Sequence, residues 1–534
     1  MHARRGHLDV PTGPAARYLL PMHSRAAKPA LVLLSLFCLA GCVSKRPDRL
    51  TVLFFNDSHG YLEPFTVEQD GKKAEVGGMA RLAAEVKRIR KNNKSLGIPT
   101  VLLCAGDILQ GTPMSTVFRG KADIDCMNAM GVDAMCVGNH EFDFGLENFH
   151  ELRKRAKFPF LSANIDIERP NGSAQLRLPQ RMPLCPATAR LDLGGGTALT
   201  VVGVTTKELL VTTAPWNVNR LAVRDPVESV GAVMMRPETG RPALILSHCL
   251  RTTDRELAAR TFGVSALIGG HDHLLMSPER GKFPILQAFE KMRYLGRADF
   301  DIDLANGRAR LRDHSYIPIV AGMPEDVKAK RIIASYAGRM DKRFKQVIGW
   351  TDQYLGADRG SIRYRETNLG NFVADSVREH TGAQVALVNG GGIRASIRPG
   401  EITVEDVFKT MPFANEVIIL ELTGKQLLAL LQRSAKSTRA DEYGGFFQVS
   451  GLQFVIADRK ARSVCIGPDK QPLDAATTYT VAVPDFIAAG GDGYSMLKEL
   501  PRRKTGSILR DLLVDTIRRR KKIEAQVEGR IRRK

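Results

Sequence analysis

The sequence lacks several features that would place it in a specialised class of protein. It has no internal repeat and no low-complexity tract apart from a basic C-terminal stretch, so neither a repeat architecture nor extensive disorder is expected. Its eight cysteines lack the paired spacing of a zinc ribbon. No recognisable nucleic-acid-binding module accompanies its many basic residues, so nucleic acid is not expected as a partner.

The bulk composition is that of a soluble globular protein. Hydrophobic residues make up 43% and charged residues 25% of the sequence. A chain of 534 residues is too long to fold around one hydrophobic core, so we expect two domains in addition to a leader. The formal net charge of +21 favours anionic partners such as phosphorylated substrates or lipid headgroups. Part of this charge lies in the C-terminal stretches 518–522 and 530–534. A solvated tail and a lipid-contacting patch are both compatible with it.

Residues 1–42 are predicted to form a leader. A positively charged start, an apolar core over residues 31–39 and the tetrapeptide Leu39-Ala40-Gly41-Cys42 are together typical of an export signal. The apolar run is too short to span a bilayer comfortably as a permanent helix. The sequence does not decide between Met1 and Met22 as the start of translation.

The tetrapeptide before Val43 resembles the bacterial lipobox, in which the cysteine is lipidated and becomes the mature N-terminus. This resemblance implies a lipidated Cys42. Val43 does not resemble an inner-membrane retention signal, so we expect an exported protein, periplasmic or at the cell surface, with its lipid anchor in the outer membrane. A plain secretory signal is the alternative. The oligomeric state is left open.

Beyond the leader, the sequence pattern divides the chain into three parts. Residues 49–320 alternate short apolar runs with helix-compatible stretches, which predicts an α/β layer structure with helices covering the sheet. Residues 321–350 form a polar, helix-compatible connector. A second α/β pattern occupies residues 351–534 and includes the basic tail.

Five short segments place metal-binding side chains directly after an apolar run. They are Asn56-Asp57-Ser58-His59-Gly60, Gly106-Asp107, Gly138-Asn139-His140-Glu141, Ser247-His248 and Gly270-His271-Asp272-His273. Carboxylate and imidazole groups suit divalent zinc, manganese or iron, and a neighbouring glycine lets the backbone turn tightly beside the ion. A single Asp-x-His arises often by chance. Five such segments in order predict one shared metal site.

In this order the motifs resemble those of the calcineurin-like metallophosphoesterases. More narrowly, Asn139-His140-Glu141-Phe142-Asp143 is similar to the 5'-nucleotidase branch, which includes ecto-5'-nucleotidase and the periplasmic UDP-sugar hydrolases. The resemblance covers residues 50–531. It implies an α/β fold: an N-terminal metallophosphoesterase β-sandwich flanked by helices, a helical linker, and a C-terminal α/β domain that sets substrate specificity.

The resemblance also implies a pair of divalent ions, whether zinc, manganese or iron, that share Asp107 as a bridging ligand. The remaining ligands would be Asp57, His59 and His273 on one ion, and Asn139, His248 and His271 on the other. Two such ions polarise phosphoryl oxygens and make water a nucleophile near neutral pH.

The catalytic residues that the resemblance implies are His140 and Asp143. His140 would stabilise charge in the transition state and on the leaving oxygen without binding metal. Asp143 would orient and charge its imidazole, as carboxylate–histidine pairs generally do. Asp272 would face away from the ions, and Glu141 is likewise not expected to bind metal.

Six residues of the second half match the family's nucleotide-binding positions, namely Arg363, Asn389, Arg394, Phe413, Phe486 and Asp492. By resemblance, the two phenylalanines would sandwich a nucleobase, each stack contributing roughly 1–3 kcal/mol. The aspartate would accept hydrogen bonds from ribose hydroxyls, the arginines would bind phosphate or the ribose region, and the asparagine would contact the base. Family analogy further implies that the C-terminal domain swings on the linker.

The motifs and the resemblance predict a hydrolase that releases phosphate from nucleoside 5'-monophosphates. Hydrolysis of UDP-sugars or of 2',3'-cyclic nucleotides is left open as a further activity. One alternative is a thiosulfohydrolase of sulfur oxidation on the same scaffold, although a thiosulfonate offers no ring for the two phenylalanines to stack on. A second is a catalytically silent surface lipoprotein, although no metal-site motif is missing.

Overall fold

The computed structural model describes residues 47–69, 72–168, 181–276, 278, 282–303, 305–340 and 342–534. The leader and Cys42 lie outside the described residues, so the lipobox stays a prediction. None of the helices among the described residues combines the length and apolar character needed to cross a bilayer.

The first half contains two six-stranded sheets. Its strands are β1 (Arg49–Phe55), β2 (Phe65–Gln69), β3 (Lys72–Val76), β4 (Thr100–Cys104), β5 (Ala134–Cys136), β6 (Phe160–Leu161), β7 (Ile165–Glu168), β8 (Arg181–Pro183), β9 (Thr188–Gly194), β10 (Thr197–Thr205), β11 (Leu221–Val223), β12 (Ala243–His248), β13 (Ala266–Gly269), β14 (Leu275–Met276), β15 (Ile285–Ala288), β16 (Tyr294–Asp303) and β17 (Arg308–Pro318). Its helices are α1 (Met79–Ser95), α2 (Pro113–Phe118), α3 (Lys121–Met130), α4 (Gly145–Arg155), α5 (Leu209–Thr212), α6 (Pro215–Val218), α7 (Pro226–Met234), α8 (Arg251–Arg260) and α9 (Val327–Arg339).

The two sheets, ordered β17-β16-β1-β4-β5-β6 and β14-β15-β13-β12-β10-β9, pack face to face. Side chains of β1 alternate between two cores, as the period of a strand requires. Val52 and Phe54 lie in the core between the sheets, whereas Leu53 and Phe55 lie in the core under α1 and α3. A sandwich flanked by helices is therefore confirmed.

The second half is built on a five-stranded sheet ordered β22-β19-β26-β21-β27. Its strands are β18 (Val347–Thr351), β19 (Val385–Asn389), β20 (Gly400–Thr403), β21 (Glu416–Thr423), β22 (Phe447–Ser450), β23 (Leu452–Ala457), β24 (Lys460–Ile466), β25 (Gln471–Pro472), β26 (Thr478–Pro484), β27 (Arg503–Ile508) and β28 (Ile531–Arg533). Its helices are α10 (Arg359–Ile362), α11 (Asn368–Thr381), α12 (Val404–Thr410), α13 (Gly424–Ala435), α14 (Asp485–Ala488) and α15 (Leu509–Arg520). Hydrophobic cores cover both faces of this sheet, with α11 and α15 on one face and α13 on the other.

The predicted connector contains helix α9, which packs on the first half. Ile333 and Tyr336 lie in the core that also contains residues of α1 and α3. The Tyr336 hydroxyl donates a hydrogen bond to Asp125 at 2.8 Å, and the Asp326 amide donates to the Ala80 carbonyl at 2.8 Å. The domain limits and a hinge within residues 321–350 stay predictions.

The basic C-terminal stretch is folded into the second half. Strand β28 pairs in parallel with β23, and Ile531 is buried. Arg530 donates to both oxygens of Asp375 at 2.7 and 2.9 Å, and the Arg533 guanidinium lies 3.9 Å from the ring centroid of Tyr364. These arginines therefore make specific contacts inside the fold.

Candidate active site

All five predicted metal motifs lie at the carboxyl ends of parallel strands. The first three follow β1, β4 and β5, which are neighbours in one sheet, and the other two lie at the ends of β12 and β13 in the other sheet. Because the sheets are stacked, these ends meet at one edge of the sandwich, where loops converge on a single cleft.

The loops that carry the motifs use left-handed backbone at non-glycine residues. Five of the seven predicted metal ligands have φ between 47° and 78°, namely Asp57, His59, Asp107, His271 and His273. Such a conformation costs roughly 1–2 kcal/mol for an L-residue and persists where the surroundings impose it, typically at functional sites.

The first cluster consists of Asp57, His59 and His273. The His273 Nε2 atom lies 3.2 Å from Asp57 Oδ1 and 3.1 Å from His59 Nε2. Asp57 is buried and also accepts the His271 backbone N–H at 3.0 Å. Three potential ligand atoms of this cluster therefore face a common point.

The second cluster consists of Asp107, His248 and His271. The His248 Nε2 atom lies 3.1 Å from Asp107 Oδ2 and 3.3 Å from His271 Nδ1. Asp107 also forms a group with His59 and His140, so it faces both clusters. Asn139 adds a buried side-chain oxygen that has no hydrogen-bond partner among the described residues.

The hydrogen bonds behind the histidines test whether these clusters fit a cation. His59 Nδ1 faces the Leu109 carbonyl at 3.1 Å, and His248 Nδ1 faces the Ala105 carbonyl at 2.7 Å. A carbonyl accepts only, so both rings carry the proton on Nδ1 and present the Nε2 lone pair to the centre. Lone pairs and carboxylates converging at about 3 Å fit a divalent cation.

The charges of the site agree with that fit. Burial by itself raises the pKa of Asp57, but the attraction of His273 outweighs it and holds the pKa at about 2. Burial lowers the pKa of His248, whereas Asp107 raises it, with the net result of about 10. The pKa values of Asp57 and Asp107 are both lowered, so the carboxylates are ionised and the negative charge beside His248 favours a cation there.

His140 and Asp143 form a hydrogen-bonded pair beside the metal clusters. Asp143 Oδ2 lies 2.6 Å from His140 Nδ1, and both side chains are buried. Burial lowers the pKa of His140, but Asp143 and Asp107 raise it above the ordinary value. His140 Nε2 lies 4.0 Å from Asp107 Oδ2, so the free nitrogen faces the clusters.

Glu141 and Asp272 organise the loops around the site. Glu141 accepts the backbone N–H groups of Asp107, Ile108 and Gly138 at 3.0, 2.8 and 2.6 Å, which ties two metal loops together. Asp272 accepts the backbone N–H of Arg251, the first residue of α8, and thus points away from the clusters.

The predicted nucleotide pocket contains a concentration of positive charge. Burial, followed by repulsion from Arg359, lowers the pKa of both Arg363 and Arg394. Arg359 also approaches His273 Nδ1 at 3.0 Å and forms an ion pair with Glu442 at 2.6 Å. Because crowded guanidinium groups repel one another, the pocket favours an anion such as phosphate.

Other predicted pocket residues lie beside these arginines. Asn389, at the end of β19, donates to Asp492 at 2.9 Å, and both residues are buried. The Phe413 ring stacks on His140 with centroids 6.1 Å apart. Phe486 packs against Gly491, where an added Cβ would lie 2.4 Å from its ring. The structure thus brings Phe413 to the hydrogen-bonded pair of His140 and Asp143, and Phe486 to the turn that carries Asp492. A base sandwich between the two phenylalanines stays a prediction.

Comparison with known proteins identifies the family. Residues 50–275 match the family described as calcineurin-like phosphoesterase, and residues 347–499 match that described as 5'-nucleotidase, C-terminal domain. Human 5'-nucleotidase is 31% identical over 538 residues, which covers 90% of this chain and 90% of that relative. The chain belongs to the 5'-nucleotidase family. It is accordingly a hydrolase of phosphoric ester bonds, as predicted.

Other similar proteins have related descriptions. The trifunctional nucleotide phosphoesterase YfkN of Bacillus subtilis is 30% identical over 533 residues, and the alignment spans 90% of this chain but only 35% of YfkN. The structure of a 5'-nucleotidase precursor from Thermus thermophilus is similar with a TM-score of 0.80 and 33% identity, covering 91% of this chain and 99% of that chain.

A sulfate thiohydrolase, SoxB of Thermus thermophilus, has the same fold as this member of the 5'-nucleotidase family. It has a TM-score of 0.75 and 21% identity, covering 91% of this chain and 96% of that chain. At this identity the likeness concerns the fold alone. The predicted N-terminal sandwich and C-terminal α/β domain are confirmed by the family matches.

Three charged residues of this 5'-nucleotidase family site were missed by the sequence prediction. Glu208 follows β10 and lies 3.5 Å from His271 Nε2, and Glu290 follows β15 and lies 2.6 Å from His273 Nδ1. Both glutamates follow an apolar strand, and this position could have identified them as candidate site residues. Arg359 stands four residues before Arg363, but no pattern indicated that it would reach a metal cluster.

Proposed function

We propose that this protein is a 5'-nucleotidase that releases phosphate from nucleoside 5'-monophosphates, with UDP-sugars and 2',3'-cyclic nucleotides as further substrates. The observation that carries the proposal is the contact between the two sites. Phe413 stacks on His140, and Arg359 reaches His273, so the arginine cluster lies directly beside the metal clusters. A phosphate bound by the pocket would lie beside the catalytic pair.

In this proposal the two clusters hold a pair of divalent ions, with zinc, manganese and iron as the candidates. Asp57, His59 and His273 would hold one ion, Asn139, His248 and His271 would hold the other, and Asp107 would contribute to both. Such ions supply Lewis acidity to the phosphoryl group and its attacking water. Asn139 fits this role because its buried oxygen otherwise lacks a partner.

The catalytic pair acts on the phosphoryl group. His140 carries a proton on Nδ1 that it donates to Asp143, and its Nε2 faces the clusters. A protonated Nε2 would donate to a phosphoryl or leaving oxygen as negative charge develops there. Asp143 holds the ring in that orientation and stabilises its positive charge.

The second half selects the nucleotide. Arg363 and Arg394 would bind phosphate or the ribose region, and Asp492, oriented by Asn389, would accept hydrogen bonds from ribose hydroxyls. Stacking on Phe486 and Phe413 would provide affinity for the base, whichever base is preferred.

A substrate panel tests the proposal. We expect metal-dependent phosphate release from AMP, and measure in parallel UDP-glucose, 2',3'-cyclic AMP and a generic aryl phosphate. Hydrolysis of the aryl phosphate alone would remove the nucleotide assignment. Thiosulfonate cleavage without nucleotide hydrolysis would establish the thiosulfohydrolase alternative, which is supported by a likeness of fold alone.

A variant tests the stacking. Phe486→Ala should raise KM for AMP by roughly 5- to 150-fold, the equivalent of about 1–3 kcal/mol of stacking. Ribose 5-phosphate, which has no base, should be hydrolysed equally by the variant and the wild type. Phe262→Ala, at a phenylalanine that is 70% exposed, is the matched control. Equal losses on both substrates would argue against a base contact.

We also propose that the protein is exported and lipid-anchored through Cys42, with the anchor in the outer membrane. The support is the lipobox of the sequence. Metabolic labelling with an alkyne fatty acid should label the wild type but not Cys42→Ser, and fractionation should no longer find the variant in the outer membrane. A labelled Cys42→Ser protein would contradict the assignment.

Finally, we propose domains over residues 49–320 and 351–534 that move about the connector 321–350. Since α9 packs on the first half, the bending would fall after Arg339. Limited proteolysis should cut first in residues 340–346. Protection of this stretch, with cleavage elsewhere, would contradict a hinge there.

A further inference from the structure

The four histidines of the metal clusters differ in what supports the nitrogen that faces away from the centre. His59 and His248 are backed by backbone carbonyls of Leu109 and Ala105. His273 is instead backed by a carboxylate, with Glu290 Oε2 at 2.6 Å from its Nδ1. We propose that Glu290 is a positioning residue that fixes the tautomer and orientation of His273 and thereby strengthens metal binding in the Asp57 cluster.

The proton between the two groups follows from their chemistry. An ionised carboxylate only accepts, and a bare imidazole lone pair 2.6 Å away would repel it, so Nδ1 carries the proton and Nε2 is left for the metal. Arg359 also approaches Nδ1, at 3.0 Å, but an N–H cannot bond to an N–H. Arg359 pairs instead with the carboxylate of Glu442, so the hydrogen-bond partner of His273 Nδ1 is Glu290.

The charge of Glu290 is compensated on its other oxygen. Lys291 Nζ lies 3.1 Å from Oε1, and both side chains are mostly buried. This lysine also stands over the ring of Tyr61 at 5.4 Å from its centroid. A buried carboxylate that satisfies both oxygens in this way is held in one rotamer, which is what a positioning group needs.

The loop that carries Glu290 is conformationally costly. Phe289, Lys291 and Met292 are non-glycine residues with φ of 65°, 54° and 57°. The loop is fastened on both sides: the Lys291 amide donates to the Asp57 carbonyl at 2.7 Å, and the Phe289 amide donates to the Leu274 carbonyl at 2.8 Å. Backbone strain beside two metal-site loops is expected where a side chain, here that of Glu290, has to be held in a fixed direction.

His271, in the other cluster, has a weaker version of the same support. Glu208 lies 3.5 Å from its Nε2, and this carboxylate is 43% exposed, against 17% for Glu290. Distance and solvent both reduce the interaction. The support by carboxylate is therefore much stronger on the Asp57 side of the site, and removing it should affect one ion more than the other.

This inference rests on the proposed metal role of His273. Mutation of groups that support metal-ligating histidines typically reduces metal affinity or activity by 10- to 100-fold. We expect Glu290→Gln to weaken one of two Zn²⁺ sites by about 10- to 100-fold in chelator competition, while the second site keeps its affinity. Activity should return as the metal concentration is raised, which a misfolded protein would not do.

The controls separate this inference from the proposed function. Glu85→Gln, at a carboxylate that is 10% exposed and paired with Arg88 on α1, should leave both affinities unchanged. If the wild type binds two ions and Glu290→Gln binds both equally well, the inference is overturned and the proposed function stands. If the wild type binds no ion, the proposed function itself fails, and the inference with it.

A double variant covers the case in which Glu290→Gln folds poorly. Because Glu290 acts through His273, the change Glu290→Gln in a His273→Ala background should cause no further loss of Zn²⁺ affinity. An additional loss of the same size as in the wild-type background would overturn the inference. The melting temperatures of the metal-free proteins measure any purely structural effect of the same change.

Discussion

Replacing Asp143 by asparagine removes one charge from the proposed catalytic pair, His140 and Asp143, and leaves its shape. The carboxylate accepts a hydrogen bond from His140 Nδ1 at 2.6 Å, and the side chains are only 8% and 6% exposed, so solvent screening is small. The Asp143 backbone is held independently, because Asn217 donates to its carbonyl at 2.8 Å. The substitution therefore tests the charge without moving the chain.

The size of the effect follows from the hydrogen bond. A hydrogen bond to a charged group contributes about 1.5–3 kcal/mol, and this contribution is lost when the partner becomes a neutral amide. If the bond matters in the transition state, kcat should fall by roughly 10- to 150-fold. KM for AMP should change little, since neither His140 nor Asp143 is proposed to bind the ground state of the nucleoside.

Steady-state hydrolysis of AMP at saturating metal measures this prediction. Metal content by mass spectrometry should stay at the wild-type value, because neither residue is a proposed ligand. Thermal unfolding should show that Asp143→Asn loses much less stability than a substitution in the hydrophobic core would.

The decisive comparison is with His140→Ala. Since Asp143 is proposed to act only through His140, the double variant should be no slower than His140→Ala alone. Losses that multiply would mean that Asp143 contributes by another route and would refute the reasoning. Undiminished turnover in His140→Ala would refute the role of the pair as a whole.

Three further predictions concern the fold. Gly106→Ala should abolish metal binding, because the added Cβ would lie 2.7 Å from the imidazole of His248, a proposed metal ligand. Gly194 has a similar φ of 85° but no atom within 4 Å of an added Cβ. Gly194→Ala should therefore lower the unfolding free energy by only about 1 kcal/mol. Arg530→Ala should lower the unfolding free energy by about 2–4 kcal/mol, because it removes the cation that pairs with the partly buried carboxylate of Asp375. Arg532→Ala, at an exposed arginine, should have no effect. Burial raises the pKa of Asp123 to about 8 from an ordinary 3.8, so the folded state keeps a proton that the unfolded state loses and stability falls as pH rises between these values. Asp123→Asn cannot ionise, and its unfolding free energy relative to the wild type should therefore rise on the order of 2–5 kcal/mol from pH 4 to pH 8.

Each of these outcomes can fail in a distinct way. Metal binding by Gly106→Ala would mean that the loop around Asp107 has room to relax. Equal destabilisation by the substitutions at Arg530 and Arg532 would argue that the C-terminal strand is held by its backbone alone. A stability difference for Asp123→Asn that does not vary with pH would show that the native carboxyl is not protonated.

The residues of the proposed metal site could be predicted from the sequence because they lie in short local motifs. Each metal motif follows an apolar strand, so the residue types and their order predicted one shared metal site, and the resemblance to the metallophosphoesterases implied the bridging role of Asp107 and the catalytic pair at positions 140 and 143. Their position on parallel strands then followed from the α/β pattern.

Only the tertiary structure decided which groups meet across long sequence separations. Glu290 and His273 are 17 residues apart, but Arg359 and His273 are 86 apart, and no local rule joins an arginine of the second half to a metal cluster of the first. The basic C-terminal stretch also depended on tertiary pairing, since Ile531 is buried only because β28 adds to β23. Local patterns encode side-chain chemistry and strand or helix period, whereas the partners of a charged side chain are set by packing between distant segments.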